Sequence, residues 1–267
     1  MYQNVKINRY KLKDNVRDCF DADADFDAID NYKNDIEKYI YTNIQMTDGS
    51  ESIEKAFLSR LQILISSVLL RSLLLRDGIV MALNNDNFPT YYATSKSFLE
   101  IPALLGYIAY IIYNDNDYET IIPKINTLCL GNKEAGSLFV GKTEAVNVLT
   151  MFDKLGKIIK GIASDGKTNE EKKEIIEKED VLTSTYKDVC NFAHINYNAH
   201  LSVGILEKNG LWKGKRDASG YKEELYAFYM PPFNIAIDTI KMLCGFILRN
   251  EKVNNFNLLN SDYYFKE

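Results

Sequence analysis

The sequence predicts a mostly α-helical protein: a single multi-helix bundle domain with a small β-hairpin insertion near residues 201–230. Three observations support this fold class. Apolar residues recur at steps of three and four over long stretches, which is the spacing of one face of an α-helix. Only 5 prolines and 14 glycines occur in 267 residues, too few for a loop-rich β fold. The dipeptide Asn209-Gly210 lies between two short apolar stretches, a pattern typical of a hairpin.

Three helices are predicted in the first half of the chain. Apolar residues follow helical spacing between residues 20 and 41. A longer helix is expected over 50–83, and its middle, 61–75, is apolar on nearly all sides, which indicates a central position. A third helix is expected over 89–113, with a kink where Pro102 removes one backbone hydrogen bond.

Shorter helices follow. They are predicted over 118–128, 144–163, 168–179 and 182–198. Thr143 can cap the second of these. Thr168 and Glu171 have the spacing of a capping box, and the helix that they begin is polar on all sides, which predicts a solvated segment.

The C-terminal part is expected to change from strand to helix. Residues 225–230 are apolar and could add a third strand to the hairpin. Pro231-Pro232 then opens a last helix, because proline is tolerated at the first helical position. Neither a repeat nor a linker is evident, so we expect one domain over 1–267. Its parts are a helical core, a β-hairpin excursion and a C-terminal helix, over 20–200, 201–230 and 231–250.

Composition limits the class of protein. Hydrophobic residues make up 46% and charged residues 26% of the chain, which excludes a disordered tail or a disulfide miniprotein. The net charge of −5 provides no overall basic field to attract nucleic acid, and no signal for DNA binding is present. The four cysteines lie far apart without a Cys-x-x-Cys pair, so single thiols in a reducing cytosol are expected.

No membrane span is expected. The apolar stretch 57–83 contains three arginines and an aspartate, and 101–113 is shorter than the roughly 18 to 20 apolar residues that a span needs. The N-terminus lacks the apolar core of a signal peptide. Asn, Ile, Lys and Tyr are abundant, which is typical of an AT-rich bacterial genome. Together these features predict a cytoplasmic bacterial protein.

One stretch has the letters of a phosphate-binding loop. Residues 136–143, GSLFVGKT, match the pattern G-x-x-x-x-G-K-[ST]. No strand is predicted before them, and Leu138, Phe139 and Val140 are bulky where backbone N–H groups would have to close on the phosphates. A nucleotide-dependent enzyme using this loop is therefore the last-ranked of the functions considered.

Metal-binding patterns are incomplete. An acidic stretch beginning at Asp21 resembles a calcium loop, but Phe26 stands at the glycine position and Tyr32 at that of the bidentate Glu. The two histidines, His194 and His200, would lie about 120° apart on one helix and share no face. No metal and no cofactor are therefore expected, although carboxylates alone could still hold magnesium.

One polar cluster stands out on the helix predicted over 182–198. Lys187, Asn191, His194 and Asn198 fall within about 60° of one another at 3.6 residues per turn. His194 thus belongs to a polar stripe that could meet solvent and a ligand. The alternative is that these groups only tie the helices together.

A second polar group interrupts the most apolar helices. Lys96 and Glu100 lie one turn apart, just before the Pro102 kink. Arg71 and Arg76 lie in the apolar helix 50–83, where an unpaired charge is costly, so both are expected to have carboxylate partners, with Glu100 as one candidate.

Two segments carry a resemblance to a known group. The sequence KSFLE at 96–100, the apolar run that follows it, and YKDVCNFAH at 186–194 resemble uncharacterised bacterial all-α proteins related to the HEPN-like superfamily and to abortive-infection proteins. The resemblance covers about residues 57–200. HEPN ribonucleases carry an Arg, a polar residue and a His on one helix. Here His194 is present, and Lys187 is the nearest cation in place of the Arg.

The resemblance implies a bacterial defence or toxin-type effector that acts on or binds RNA. If it is an enzyme, its activity would be that of a metal-independent ribonuclease. The resemblance also implies a homodimer. His194, Lys187 and Asn191 would be catalytic, with His194 as the general acid or base. The substrate would be held by four further residues: Lys96, Glu100, Tyr186 and Arg71. The alternative is a non-catalytic helical binding or scaffold protein of the same fold, which the acidic net charge and the missing Arg favour.

Overall fold

The structure is a computed structural model. It describes residues 10–19, 26–47, 50, 52–130, 145–164, 168–194, 204–206, 208–214, 222–253 and 262–263. Eight α-helices and four short strands occur in these ranges, which confirms a mostly α, multi-helix protein with a small β-hairpin. The α-helices are α1 Asp14–Arg17, α2 Asp27–Ile36, α3 Ile53–Asn84, α4 Phe88–Asn114, α5 Tyr118–Leu130, α6 Val148–Ser164, α7 Asn169–Ala193 and α8 Lys222–Leu248.

The four strands form two antiparallel pairs. β1 (Tyr41–Thr42) pairs with β4 (Asp262–Tyr263), and β2 (Gly204–Leu206) pairs with β3 (Trp212–Gly214). The second pair is the predicted hairpin. Its turn contains Gly210 with a φ of +82°, a left-handed conformation that glycine adopts without the clash of a side chain.

The chain forms two compact units. The first consists of Met1–Lys33, Ser72–Glu100 and Asp180–Asp238, and the second of Asn34–Arg71, Ile101–Glu179 and Thr239–Glu267. Five helices (α2, α3, α4, α7 and α8) contribute residues to both units.

The core of the first unit is aromatic. Phe98 of α4 meets Tyr32 of α2 and Phe233 of α8 edge to face, with ring centroids 5.8 and 5.6 Å apart. The Tyr32 hydroxyl lies 2.7 Å from the hydroxyl of Ser72 in α3, so its polar end is satisfied in the interior. Tyr32, Phe98 and Phe233 are all buried, as the apolar spacing of their helices predicts.

The second unit packs α4 closely against α6. Gly106 lies so near the backbone of Leu155 that a Cβ built at position 106 would be 2.8 Å from the Leu155 Cα. Tyr113 of α4 stacks on Phe246 of α8 at 4.2 Å between ring centroids, and its hydroxyl donates to the Phe246 carbonyl. The glycine thus allows the two helices to approach, and the aromatic pair closes the end of α4.

Helix α4 also has the composition of a membrane span. Among the described residues it is the one helix long and apolar enough to cross a membrane by length and composition. In this structure 67% of its most apolar window is buried. A core helix of a folded protein passes the same test.

One predicted break between two helices is absent. Residues 168–179 and 182–198 were expected to be separate, but α7 runs without interruption from Asn169 to Ala193. The predicted capping box is confirmed, since the backbone N–H of Thr168 donates to Glu171 Oε2 at 2.8 Å and that of Glu171 donates to Thr168 Oγ1 at 3.3 Å. An ion pair between Lys173 and Glu177 supports the exposed part of the helix.

The expectation of a third strand over 225–230 is wrong. These residues lie inside α8, which begins at Lys222 and continues through Pro231-Pro232 rather than starting there. A short apolar run has the same appearance in a strand and in a buried helix, so its periodicity could not decide between them. Likewise α6 begins at Val148, later than the predicted 144.

Candidate functional site

The polar face predicted on α7 is exposed. Lys187, Asn191 and His194 are all solvent-exposed. They are spaced at i, i+4 and i+7, so they share one face of the helix. His194 follows the last residue of α7, and its backbone N–H still donates to the Cys190 carbonyl at 3.1 Å, which keeps it in helical register. Within the described part of the chain, none of the three side chains has a hydrogen bond or ion pair. The fourth member of the predicted stripe, Asn198, lies outside the described residues.

Beside this face, a hydrogen bond between two side chains links α7 to α4. The Tyr186 hydroxyl donates a hydrogen bond to Glu100 Oε1 at 3.1 Å, and both residues belong to the first unit. The Tyr186 pKa lies far above its ordinary value because burial disfavours the phenolate, with the Glu100 carboxylate and a hydrogen bond to Cys190 acting in the same direction. Tyr186 therefore remains a neutral hydrogen-bond donor at physiological pH.

The expected Lys96–Glu100 couple is not formed. Lys96 is half-exposed and makes no ion pair with any described residue, although Glu100 lies one turn along the same helix. Glu100 instead accepts the hydrogen bond of Tyr186. The described contacts include none between His194 and either of these two residues. The structure thus brings together two of the predicted site residues, Glu100 and Tyr186, in a contact that was not predicted, and leaves Lys96 available to solvent.

The two arginines predicted to need carboxylates differ. Arg76 is 2% exposed, and its guanidinium lies 2.9 Å from Asp77 Oδ1 and 3.5 Å from Asp30 Oδ1. It also donates to the carbonyls of Ile29 and Tyr10. Arg76 therefore has the compensation that a buried charge requires.

For Arg71 the expected carboxylate partner is not found among the described residues. Arg71 is exposed and forms no hydrogen bond or ion pair with any described residue, because its position on α3 faces solvent, where water solvates the charge. It belongs to the second unit, whereas its proposed partner Glu100 belongs to the first and is bonded to Tyr186.

Sequence reasoning missed a cavity in the second unit. It has a volume of about 450 Å³, in the range of small-molecule sites. One face of α3 lines it, from Arg60 to Arg71, and residues of α4 and α5 complete it. The signal was present in the sequence, since the two arginines are eleven residues apart and stand on one helical face. It was hidden because the middle of this helix is apolar on almost every side.

No metal site is found in the described ranges: no group of three or more His, Cys, Asp or Glu side chains is placed to hold an ion. The calcium-like stretch begins outside the described residues, at 21–25, and its second half is part of α2, with Tyr32 buried. The phosphate-loop pattern at 136–143 and His200 lie outside the described residues.

The comparisons with known proteins add no relative. No protein-family model matches this chain, and neither the curated proteins nor the solved structures include a significant match. The fold and the exposed face of α7 therefore define a mostly α, multi-helix protein with a candidate polar site, and the function is argued from that site.

Proposed function

We propose that this protein is a bacterial effector of HEPN-like character that binds RNA through the exposed face of α7 and acts on it there. The observation that carries the proposal is that Lys187, Asn191 and His194 share one solvent-exposed face and that, among the described residues, no side chain competes for their polar groups. A ligand that approaches this face therefore meets a cation, an amide and an imidazole in a row.

Each of the three residue types suits one part of a ribonucleotide. The Lys187 ammonium would pair with a phosphate as a point charge. The Asn191 amide can both donate and accept, so it would orient the sugar or a base edge. His194 would move a proton at the 2′-hydroxyl, because imidazole is the side chain that exchanges protons near neutral pH. Lys96, on the neighbouring α4, would add a second phosphate contact.

The Tyr186–Glu100 bond supports this face without belonging to it. Tyr186 precedes Lys187 in the chain, so fixing Tyr186 against α4 also fixes the register of the residues that follow. We assign Tyr186 and Glu100 a positioning role and not contact with RNA. The proposed face has few cations and the chain carries a net charge of −5, so the affinity for RNA should be modest. The binding constant should fall by about 0.7 log units per phosphate contact for each tenfold rise in salt concentration.

The experiment measures binding and cleavage of single-stranded RNA by the full chain, with and without EDTA. His194→Ala should abolish cleavage and leave binding largely intact, whereas Lys187→Ala should weaken binding. Lys173→Ala is the matched control, because Lys173 is exposed on the same helix and its one ion pair with a described residue is that with Glu177. Unchanged melting temperatures would show that the variants remain folded. Wild-type cleavage by His194→Ala would refute the catalytic role.

A non-catalytic binding or scaffold protein is the second candidate. One observation favours it: no described side chain forms a hydrogen bond or ion pair with the His194 imidazole that would orient it, as a general base usually requires. RNA that binds to the wild type and depends on Lys187, yet is never cleaved, would identify this alternative. A protein that neither binds nor cleaves RNA would exclude both versions of the proposal.

The resemblance also leads us to propose a cytoplasmic homodimer. HEPN-like sites form between two chains, which would supply a second His194 to the one site. Light scattering coupled to gel filtration measures the mass directly, and a monomer at cellular concentration would contradict this part of the proposal. A thermal shift with ATP and magnesium, absent in Lys142→Ala, would instead favour the nucleotide-dependent enzyme.

A further inference from the structure

The cavity of the second unit is built on one face of α3. Six of its lining residues recur at the spacing of a single helical stripe, namely Arg60, Ile63, Leu64, Ser67, Val68 and Arg71. Leu104 of α4 and Leu128 of α5 also line the cavity. The wall is thus apolar along its middle and carries an arginine at each end.

Arg60 is held in place by neutral acceptors. Its Nε donates to Asn126 Oδ1 at 3.0 Å, and its Nη1 donates to the carbonyls of Thr47 at 2.6 Å and Ala56 at 2.8 Å. These groups orient the guanidinium but carry no charge, and no carboxylate of the described chain pairs with it. Arg60 therefore contributes an uncompensated positive charge to the cavity.

Arg71 is the second cationic side chain of the cavity, and its surroundings differ from those of Arg60. It is exposed and has no hydrogen bond or ion pair with any described residue, so its planar guanidinium can receive an anion. Eleven residues separate it from Arg60, which is about 16 Å along the helix axis. No Asp or Glu lines the cavity between them, as far as the described residues show.

This arrangement favours a ligand that has both an anionic group and an apolar part. An inorganic anion would satisfy an arginine but leave the leucine-lined part of the cavity unused. A neutral apolar molecule would pack against the apolar wall but would provide no anionic acceptor for the guanidinium groups. A small molecule with an anionic head and an apolar body matches both, because an arginine binds the two oxygens of a carboxylate or phosphate bidentately.

We propose that this cavity binds a small amphiphilic organic anion, an alkyl or aryl carboxylate or phosphate, with its head on Arg71 and its apolar body against Ile63, Leu64 and Leu104. The site lies in the second unit and uses none of the residues of the α7 face, so it is independent of RNA binding.

The test is calorimetric titration of the full chain with decanoate, decyl phosphate and decanol. The two anions should bind, and decanol should bind at least tenfold more weakly, because it lacks the charge. Arg71→Gln should weaken decanoate binding about tenfold, whereas Arg249→Gln, at an exposed arginine of the same unit away from the cavity, should not. Ser67→Trp fills the cavity from an exposed position and should abolish binding.

Cys129 provides a second readout because it lines the cavity. Bound decanoate should slow its alkylation by iodoacetamide, while Cys19, in the first unit, should be unaffected. Equal binding of decanol and decanoate, or wild-type binding by Arg71→Gln, would overturn the proposal, as would no binding of any of the three at millimolar concentration. His194→Ala should bind decanoate normally, which separates this result from the fate of the RNA proposal.

Discussion

The hydroxyl of Tyr186 donates a hydrogen bond to Glu100 Oε1, and this contact joins α7 to α4 in the first unit across 86 positions of sequence. The neighbouring residue, Lys187, starts the exposed face that we propose binds RNA. By holding the buried, neutral phenol of Tyr186, the bond also helps to orient the exposed polar face that follows it on α7. Its strength can be measured apart from any activity.

Tyr186→Phe should lower the free energy of unfolding by about 1–3 kcal/mol, because it leaves the half-buried Glu100 without its donor. Urea denaturation monitored by circular dichroism measures the change. Tyr107→Phe is the control: Tyr107 is also half-buried, but its hydroxyl has no partner in the described part of the chain, so the change should stay within about 0.5 kcal/mol. Equal effects of the two variants would contradict the role given to the bond.

The two arginines of α3 provide a matched pair for a second prediction. Arg76→Met should destabilise the protein by about 3–5 kcal/mol, since it leaves the carboxylates of Asp30 and Asp77 with less compensation in the interior. Arg71→Met removes an exposed charge that has no ion pair with any described residue, five positions earlier, and should change stability by less than about 0.5 kcal/mol. Thermal melts of both variants measure the difference. A Met variant at 76 that is as stable as wild type would show that the ion-pair network is dispensable.

The thiol of Cys129 leads to a prediction about alkaline pH. Burial raises its pKa to about 11 from an ordinary value of 9.0, and the nearby Arg60 offsets this only in part. The folded protein therefore holds the thiol proton more tightly than the unfolded chain does. The associated stability is fully present below about pH 9 and is lost as the pH rises toward 11.

Cys129→Ser removes this titration, so its unfolding free energy should fall less steeply than that of wild type between pH 9 and 11. The measurement is urea denaturation at a series of pH values, with Cys19→Ser as the comparison. An identical slope in wild type and Cys129→Ser would show that this thiol does not titrate in the assumed window. In the native protein, alkylation of Cys129 should be slow at pH 8, because only the thiolate reacts.

Long helices could be predicted from the sequence, and the limits of helices could not. The apolar spacing of α3 and α4 persists over many turns, and both were predicted to within a few residues. α7 was divided in two because its first half is polar, yet exposed ion pairs such as Lys178–Glu174 allow a helix to continue without an apolar face. The start of α8 was missed because a proline pair was assumed to begin it.

The candidate site, too, could be predicted only in part. The shared face of Lys187 and His194 follows from helical geometry alone, so sequence spacing was sufficient. The contact of Glu100 with Tyr186 depends on how two distant helices pack, which spacing cannot supply. The role expected of Arg71 depended on burial, and the residue is exposed, because an apolar helix still turns one edge to solvent.

The close approach of α4 and α6 leads to the last prediction, for two glycines of the same unit. A Cβ at position 106 would lie 2.6 Å from Leu155 Cδ1 and 2.8 Å from the Leu155 Cα, and a backbone atom cannot yield as a flexible side chain does. Gly106→Ala should therefore force the helices apart and destabilise the protein by about 1–3 kcal/mol. At Gly161, exposed in α6, a Cβ would meet nothing within 4 Å, so Gly161→Ala should stabilise by about 0.5–1 kcal/mol through helix propensity. Thermal melts that gave both variants the same sign would show that the contact at Leu155 does not set the distance between α4 and α6, since the two substitutions differ in their surroundings and not in their chemistry.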